Sequence, residues 1–306
     1  MEGRDYSAIA RQYAGDVTKG SVSACKSIRL QCQRFLDELK AQKGKAFPYR
    51  FDEAKAARVC KFIERLPHSK GKWARSGTIR LEPWQVWILC CAFGWLHKAG
   101  NRAGTRRFRV LFIVVPRKNG KSALSAGIGL YMLCADGEYG AEVYSGATNE
   151  KQAWEVFKPA QLMAKRTPAL LRHFGLEVNA KSLVKVADSS KFETIVGDPG
   201  DGQSPSCSIH DEYHEHPDDG QVNTMQTGMG AREHGGCPVM EWEMNNVVAQ
   251  ADAKDNVYPR KPRDEAKIDN PVALIAALAV AMTKEEEEMP TSPWDDPEFS
   301  MAGADE

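Results

Sequence analysis

The sequence predicts an open α/β fold with a mostly parallel sheet, preceded by a helical region. Three observations predict it. Apolar, β-branched runs alternate with helix-length amphipathic segments from about residue 107 to 216, the order that builds sheets flanked by helices. Gly120-Lys121-Ser122 stands between one such run and a small-residue segment, the setting of a phosphate-binding turn. A later run, "PSCSI", ends in His210-Asp211-Glu212, which puts acids where such sheets place ligands, at the carboxyl ends of strands.

Taken in order, residues 5–40 read as helical, with Cys25, Ile28, Cys32, Phe35, Leu36 and Leu39 at helical spacing. "FDEAKAARVCKFIERL" (51–66) repeats the pattern with an acidic first turn, which suits the helix dipole. "LEPWQVWILCCAFGWLHK" (81–98) reads as a third helix with Pro83 at its start, where a missing N–H costs nothing. "RFRVLFIVVP" (107–116) is apolar and β-branched after its arginines and reads as a buried strand of a parallel sheet. "NGKSALSAGIGLYMLCAD" follows as a helix, "AEVYSGAT" (141–148) as a strand and 149–166 as a helix. "LVKVAD" and "FETIVGD" look like a short antiparallel pair, and 205–216 like a third buried strand. Beyond "TMQTGMGAREH" the chain becomes a polar, basic connector ending in one apolar helix, "PVALIAALAVAM" (271–282). Twelve apolar residues fall short of the roughly 20 that span a bilayer. The expected boundaries are a helical region at 1–66, a core domain at 67–235, a C-terminal remnant at 236–282 and an acidic disordered tail at 283–306.

The chain has 306 residues, 42% hydrophobic and 27% charged, with a formal net charge of zero. Residues 283–306 hold one Lys against nine acids, so a net −8 tail balances a +8 body. A basic body suits a polyanionic partner. The eight cysteines form no CxxC pair, which reads as reduced thiols in a core. The N-terminus lacks an apolar signal segment, so a cytoplasmic location is expected.

The phosphate turn departs from G-x-x-x-x-G-K-[ST]: Val115 stands where the first glycine belongs. Arg117 and Lys118 bring charge there instead, and Asn119 precedes the glycine. Gly120 lets backbone approach a phosphate, and the helix start supplies N–H donors with roughly half a positive charge. Lys121 would reach the β- and γ-phosphates of ATP, and Ser122 would hold Mg²⁺. Asp211 would hold the same metal, and Glu212 would orient and deprotonate an attacking water. Gln85, beside Trp84 in "LEPWQVW", is a candidate for reading adenine, although Trp84 and Trp87 also suit a core. Cys207, His210, His214 and His216 fall within ten residues and raise a zinc-hydrolase alternative. No H-E-x-x-H accompanies them, and the segment lacks helical spacing.

"LEPWQVWILCCAFGW", "VPRKNGKSALSAGIGLYML", "SGATNEKQAWEVF", "PSCSIHDEYHEH" and "TMQTGMGARE" occur in this order. Together they resemble the large terminase subunit of tailed bacteriophages, the ATPase and nuclease that packages DNA into procapsids. The resemblance covers about residues 5–282. It implies an ASCE-type P-loop NTPase sheet with an N-terminal helical region, and a short remnant of an RNase H-like nuclease domain. It implies a variant Walker A loop in which Arg117 holds the family's basic position, with Lys121 and Ser122 as the Walker A pair. Asp211 matches the Walker B acid, Glu212 the catalytic glutamate and Gln85 the adenine-reading glutamine. The implied partners are double-stranded DNA, a small terminase subunit and the portal protein, with a homo-oligomeric ring and no membrane.

The resemblance breaks after Glu233. A coupling strand and the strands bearing most nuclease acids have no counterpart, while Asp269 sits where the family has its last metal-binding Asp. The expectation is an ATPase that uses ATP and Mg²⁺, with nuclease activity lost. The alternative is a non-enzymatic remnant of prophage origin.

Overall fold

The computed structural model describes residues 4–75, 77–116, 118–147, 149–196, 203–211, 220–228, 248–251 and 257–260. The chain divides into two compact units, Met1–Gly235 and Gly236–Glu306.

The first unit begins with a helical layer. Asp5 caps α1 (Tyr6–Lys19) by accepting from the Ala8 amide, and Tyr6, Ala10, Ala14 and Val17 form its buried stripe. α2 (Lys26–Ala41) buries Cys32 and Phe35. The stretch expected to be helical at 5–40 is therefore two helices, separated by Gly20, which caps α1, and the residues after it. A three-residue strand, β1 (Tyr49–Phe51), leads to α3 (Glu53–Glu64), capped by Asp52 and buried through Ala56, Val59, Cys60 and Ile63. That i, i+3, i+4, i+7 spacing is one helix face. α4 (Pro83–Gly94) is apolar nearly all round and packs on α1 and α3, as a helix buried on every side must.

The expected helix at 81–98 ends early. Trp95–His97 is a strand, β2, paired antiparallel with β1. Trp95 is 1% exposed among Phe35, Phe47 and Phe51. Turning the chain extended at Gly94 puts that ring into an aromatic cluster, which outweighs continuing the helix.

α5 (Lys121–Cys134) lies between this layer and the sheet, touching α3 on one side and β3 (Glu142–Ala147) on the other. α6 (Glu150–Lys165), capped by Asn149, and α7 (Pro168–Phe174) follow. Then come β4 (Leu176–Val178), β5 (Ser182–Lys185), β6 (Ser190–Val196) and β7 (Cys207–His210). The sheet order is β4-β5-β6-β3-β7. β3 is parallel to both β6 and β7, while β5 runs antiparallel to β4 and β6. The unit is thus mixed α/β around a parallel centre. α8 (Gly220–Gly228) closes the described part of this unit.

The main correction concerns 107–116. It pairs in no described sheet, and four of its apolar residues face outward, with Val110 38%, Leu111 44%, Phe112 49% and Val114 79% exposed, while Phe108 and Ile113 pack against the core. Its start is tied to β2, through Arg107 N–H to Trp95 O and an Arg106–Leu96 bridge. A buried strand needs neighbours to take its N–H and C=O groups, and among the described residues no strand pairs with 110–116. β7 likewise meets only β3 in the described sheet.

In the second unit, β8 (Val248–Ala251) and β9 (Val257–Arg260) form an antiparallel hairpin. The expected polar, basic connector thus contains a short hairpin. The apolar segment 271–282 and the acidic tail lie outside the described residues.

Candidate active site

The site is built where α5 begins. Asn119 Nδ2 donates to Pro116 O at 3.0 Å, closing a turn. Lys118 has φ 69° and Gly120 φ 75°, so the chain curls twice through the left-handed region. Such curls aim backbone N–H groups into one concavity. Gly120 is the N-cap of α5 and brings no side-chain cap, so the helix start is left to act as an anion site. At Lys118 the same conformation carries strain, a feature that concentrates at ligand clamps.

β7 delivers Asp211 to this turn. The carboxylate is 8% exposed. Lys121 Nζ lies 2.8 Å from Oδ1, and Ser122 Oγ donates to Oδ2 at 3.3 Å. Residues 89 positions apart therefore converge because α5 and β7 pack side by side. A nearly buried carboxylate is costly without a charge partner, and Lys121 supplies one. A hydroxyl and a carboxylate at this separation are hard oxygen donors, the set Mg²⁺ takes.

Gln85 faces the turn from α4. Its Oε1 accepts from the Glu82 amide at 2.9 Å, completing a capping box. Its Nε2 lies 3.7 Å from where a Cβ on Gly120 would stand. The amide is thus divided between a helix start and the phosphate turn. Trp87 is core, 6% exposed, with its ring tilted 44° against Tyr13 at 5.7 Å.

Arg117, Glu212 and Asp269 lie outside the described residues, as do His214 and His216. Among the described residues no three metal-ligating side chains cluster. Burial pushes the Cys207 thiol up to about 12, which opposes thiolate ligation. Burial likewise pushes Cys32 and Cys134 up to about 12, and no described cysteine is in a disulfide. Arginines near 102–109 separate by packing. Arg107 is bidentate to Glu38 at 2.8 and 3.0 Å, and its guanidinium lies 4.0 Å from the Tyr49 ring centre. Arg106 pairs with Asp136 and covers Phe93.

Gln221 and Gly146 lie against His210, the residue before Asp211, with no motif to announce them. The one available signal is a glycine inside a strand, which marks close approach by another group. No helix among the described residues is long and apolar enough to cross a membrane.

The chain is similar to known proteins. The family model "Terminase large subunit, ATPase domain" matches residues 83–252. "Terminase large subunit, endonuclease domain" matches 225–285. Protein YmfN of Escherichia coli (strain K12) is 64% identical over 33 residues, 11% of this chain and 7% of that protein. The crystal structure of the HK97 bacteriophage large terminase matches at 25% identity and TM-score 0.47, over 58% of this chain and 36% of that one. The chain thus matches well under two thirds of either protein's length.

Proposed function

Because the chain belongs to the terminase large-subunit family and holds its ATPase domain, we propose that it binds ATP at the α5 turn and hydrolyses it. The observation that carries this reading is the meeting of Lys121, Ser122 and Asp211 within 3.3 Å at the start of α5. Gly120 and the first turn of α5 cradle phosphate oxygens, and Lys121 turns from Asp211 to the β- and γ-phosphates. Ser122 and Asp211 hold Mg²⁺, which when bound neutralises phosphate charge. Glu212, next after Asp211, takes the proton of the attacking water, and Arg117 and Asn119 complete the loop's contacts with the nucleotide.

In this reading the turnover serves the family's general role, moving double-stranded DNA into procapsids. Contact with DNA runs through phosphates and weakens with salt. A small terminase subunit, the portal protein and further copies of this chain in a ring are the expected partners, in the host cytoplasm. Endonuclease activity is lost: the stretch matching the nuclease model, 225–285, is short beside the ~100–150 residues of a typical domain. Asp269 is then the vestige of a metal cluster. Metal-dependent DNA cleavage abolished by Asp269→Ala would overturn that part.

The test is a nucleotide titration. Wild type binds ATP, Lys121→Ala binds at least ~10-fold more weakly, and Glu212→Gln binds normally but loses ~10²-fold or more in turnover. Equal, negligible binding by wild type and Lys121→Ala sinks the proposal. It would favour the non-enzymatic reading, which the exposed apolar run at 110–114 supports.

A further inference from the structure

β3 and β7 run parallel with Gly146 opposite His210. A Cβ on Gly146 would stand 2.8 Å from His210 Nδ1, from His210 Cε1 and from Gln221 Oε1. Those distances are closer than real Cβ contacts, so glycine at 146 is what lets a ring and an amide lie against the strand. Gln221, 8% exposed, enters from the first turn of α8.

The hydrogen bonds fix the orientation of each group. Gln221 Nε2 donates to Ala147 O at 3.3 Å. A carbonyl only accepts, so the amide nitrogen faces it and Oε1 faces His210 Nδ1, 3.2 Å away. Nδ1 therefore carries the proton. In the neutral ring, Nε2 is then the acceptor for Ser208 Oγ–H at 2.7 Å. The result is one directed chain: Ser208 to His210, His210 to Gln221, Gln221 to the last carbonyl of β3. It ties α8 to the ends of two parallel strands, one residue before Asp211, which itself meets Lys121 and Ser122.

We propose that Gly146, His210 and Gln221 are positioning residues that hold the end of β7, and so aim Asp211 at the metal. The proposal rests on the ATPase reading for its activity arm and stands apart from it in its spectroscopic arm.

The experiment uses the full chain carrying His210→Ala, His210→Asn, Gln221→Leu or Gly146→Ala. ATP affinity is measured with and without Mg²⁺, alongside turnover and thermal unfolding. His210→Ala and Gln221→Leu lower kcat at least about tenfold and shrink the gain in ATP affinity from Mg²⁺, with Mg²⁺-free affinity within about threefold of wild type. His210→Asn, whose amide nitrogen stands where Nδ1 stood, restores most of kcat. Gly146→Ala behaves like His210→Ala. Unchanged kcat and Mg²⁺ dependence in His210→Ala and Gln221→Leu overturn the proposal. So does a parallel fall in Mg²⁺-free affinity and melting temperature, which marks mere scaffolding. Nitrogen NMR of the His210 ring supplies the second arm: a neutral Nδ1–H ring in wild type, lost in Gln221→Leu. An Nε2–H ring overturns the proposal even if ATP turnover is normal. Absent ATP binding with the Nδ1–H signature intact sinks the ATPase reading instead.

Discussion

α4 and the run at 110–114 carry much the same kind of side chain. In α4, Val86, Trp87, Leu89, Cys90, Ala92 and Phe93 are all under 9% exposed. In the run, Val110, Leu111, Phe112 and Val114 are 38–79% exposed. A helix satisfies its own backbone, so covering its faces is enough to bury it. A strand needs a neighbour's N–H and C=O groups first. The helical layer is therefore self-sufficient, while burial at the run before α5 depends on which strands are present.

The largest effect that tests this contrast is Trp95→Ala. Removing a ring packed on Phe35, Phe47 and Phe51 should cost ~3–5 kcal/mol in denaturant unfolding. A cost below ~1 kcal/mol would mean the helical layer is looser than its burial indicates. Asp52→Ala comes next, at ~1 kcal/mol for a lost cap. Burial raises the Asp52 carboxyl, but the Lys55 N–H and Arg50 outweigh it, leaving it below its usual 3.8. A lowered carboxyl stabilises fully above its unfolded value and loses that contribution as pH falls through the folded one. The gap between wild type and Asp52→Ala should therefore close in acid, and a gap that widens would contradict the capping geometry. The smallest effect belongs to Val114→Ser, which should shift unfolding by no more than ~0.5 kcal/mol. A loss of several kcal/mol would restore the buried strand that the sequence suggests.

How much could be read in advance follows the same physics. The break at Gly20 and the Asp52 and Asn149 caps come only with the structure, while the helical spacing of 51–66 and 149–166 is local. So is the signal for β3 and for the antiparallel β5 and β6. Misreading 107–116 came from a rule that assumes neighbours the described sheet does not supply. β2 was hidden because "GWLHK" continues an apolar helix, and only the aromatic cluster around Trp95 makes it extended. At the site, Lys121, Ser122 and Asp211 stand in a recognisable order, and the fold brings them together. Gln221 lies in a polar stretch, and only the packing of α8 against β3 and β7 gives it neighbours.

Gln85 caps α4 with one end of its amide and faces Gly120 with the other. α4 in turn packs on α1 and α3. One amide therefore borders both the first turn of α4 and the phosphate turn. If binding at the turn shifts this amide, linkage makes the effect reciprocal, and the stability of α4 would report what the turn holds. Glutamate at 85 keeps the capping oxygen and removes the N–H₂ group, so it separates the cap from the group that faces Gly120.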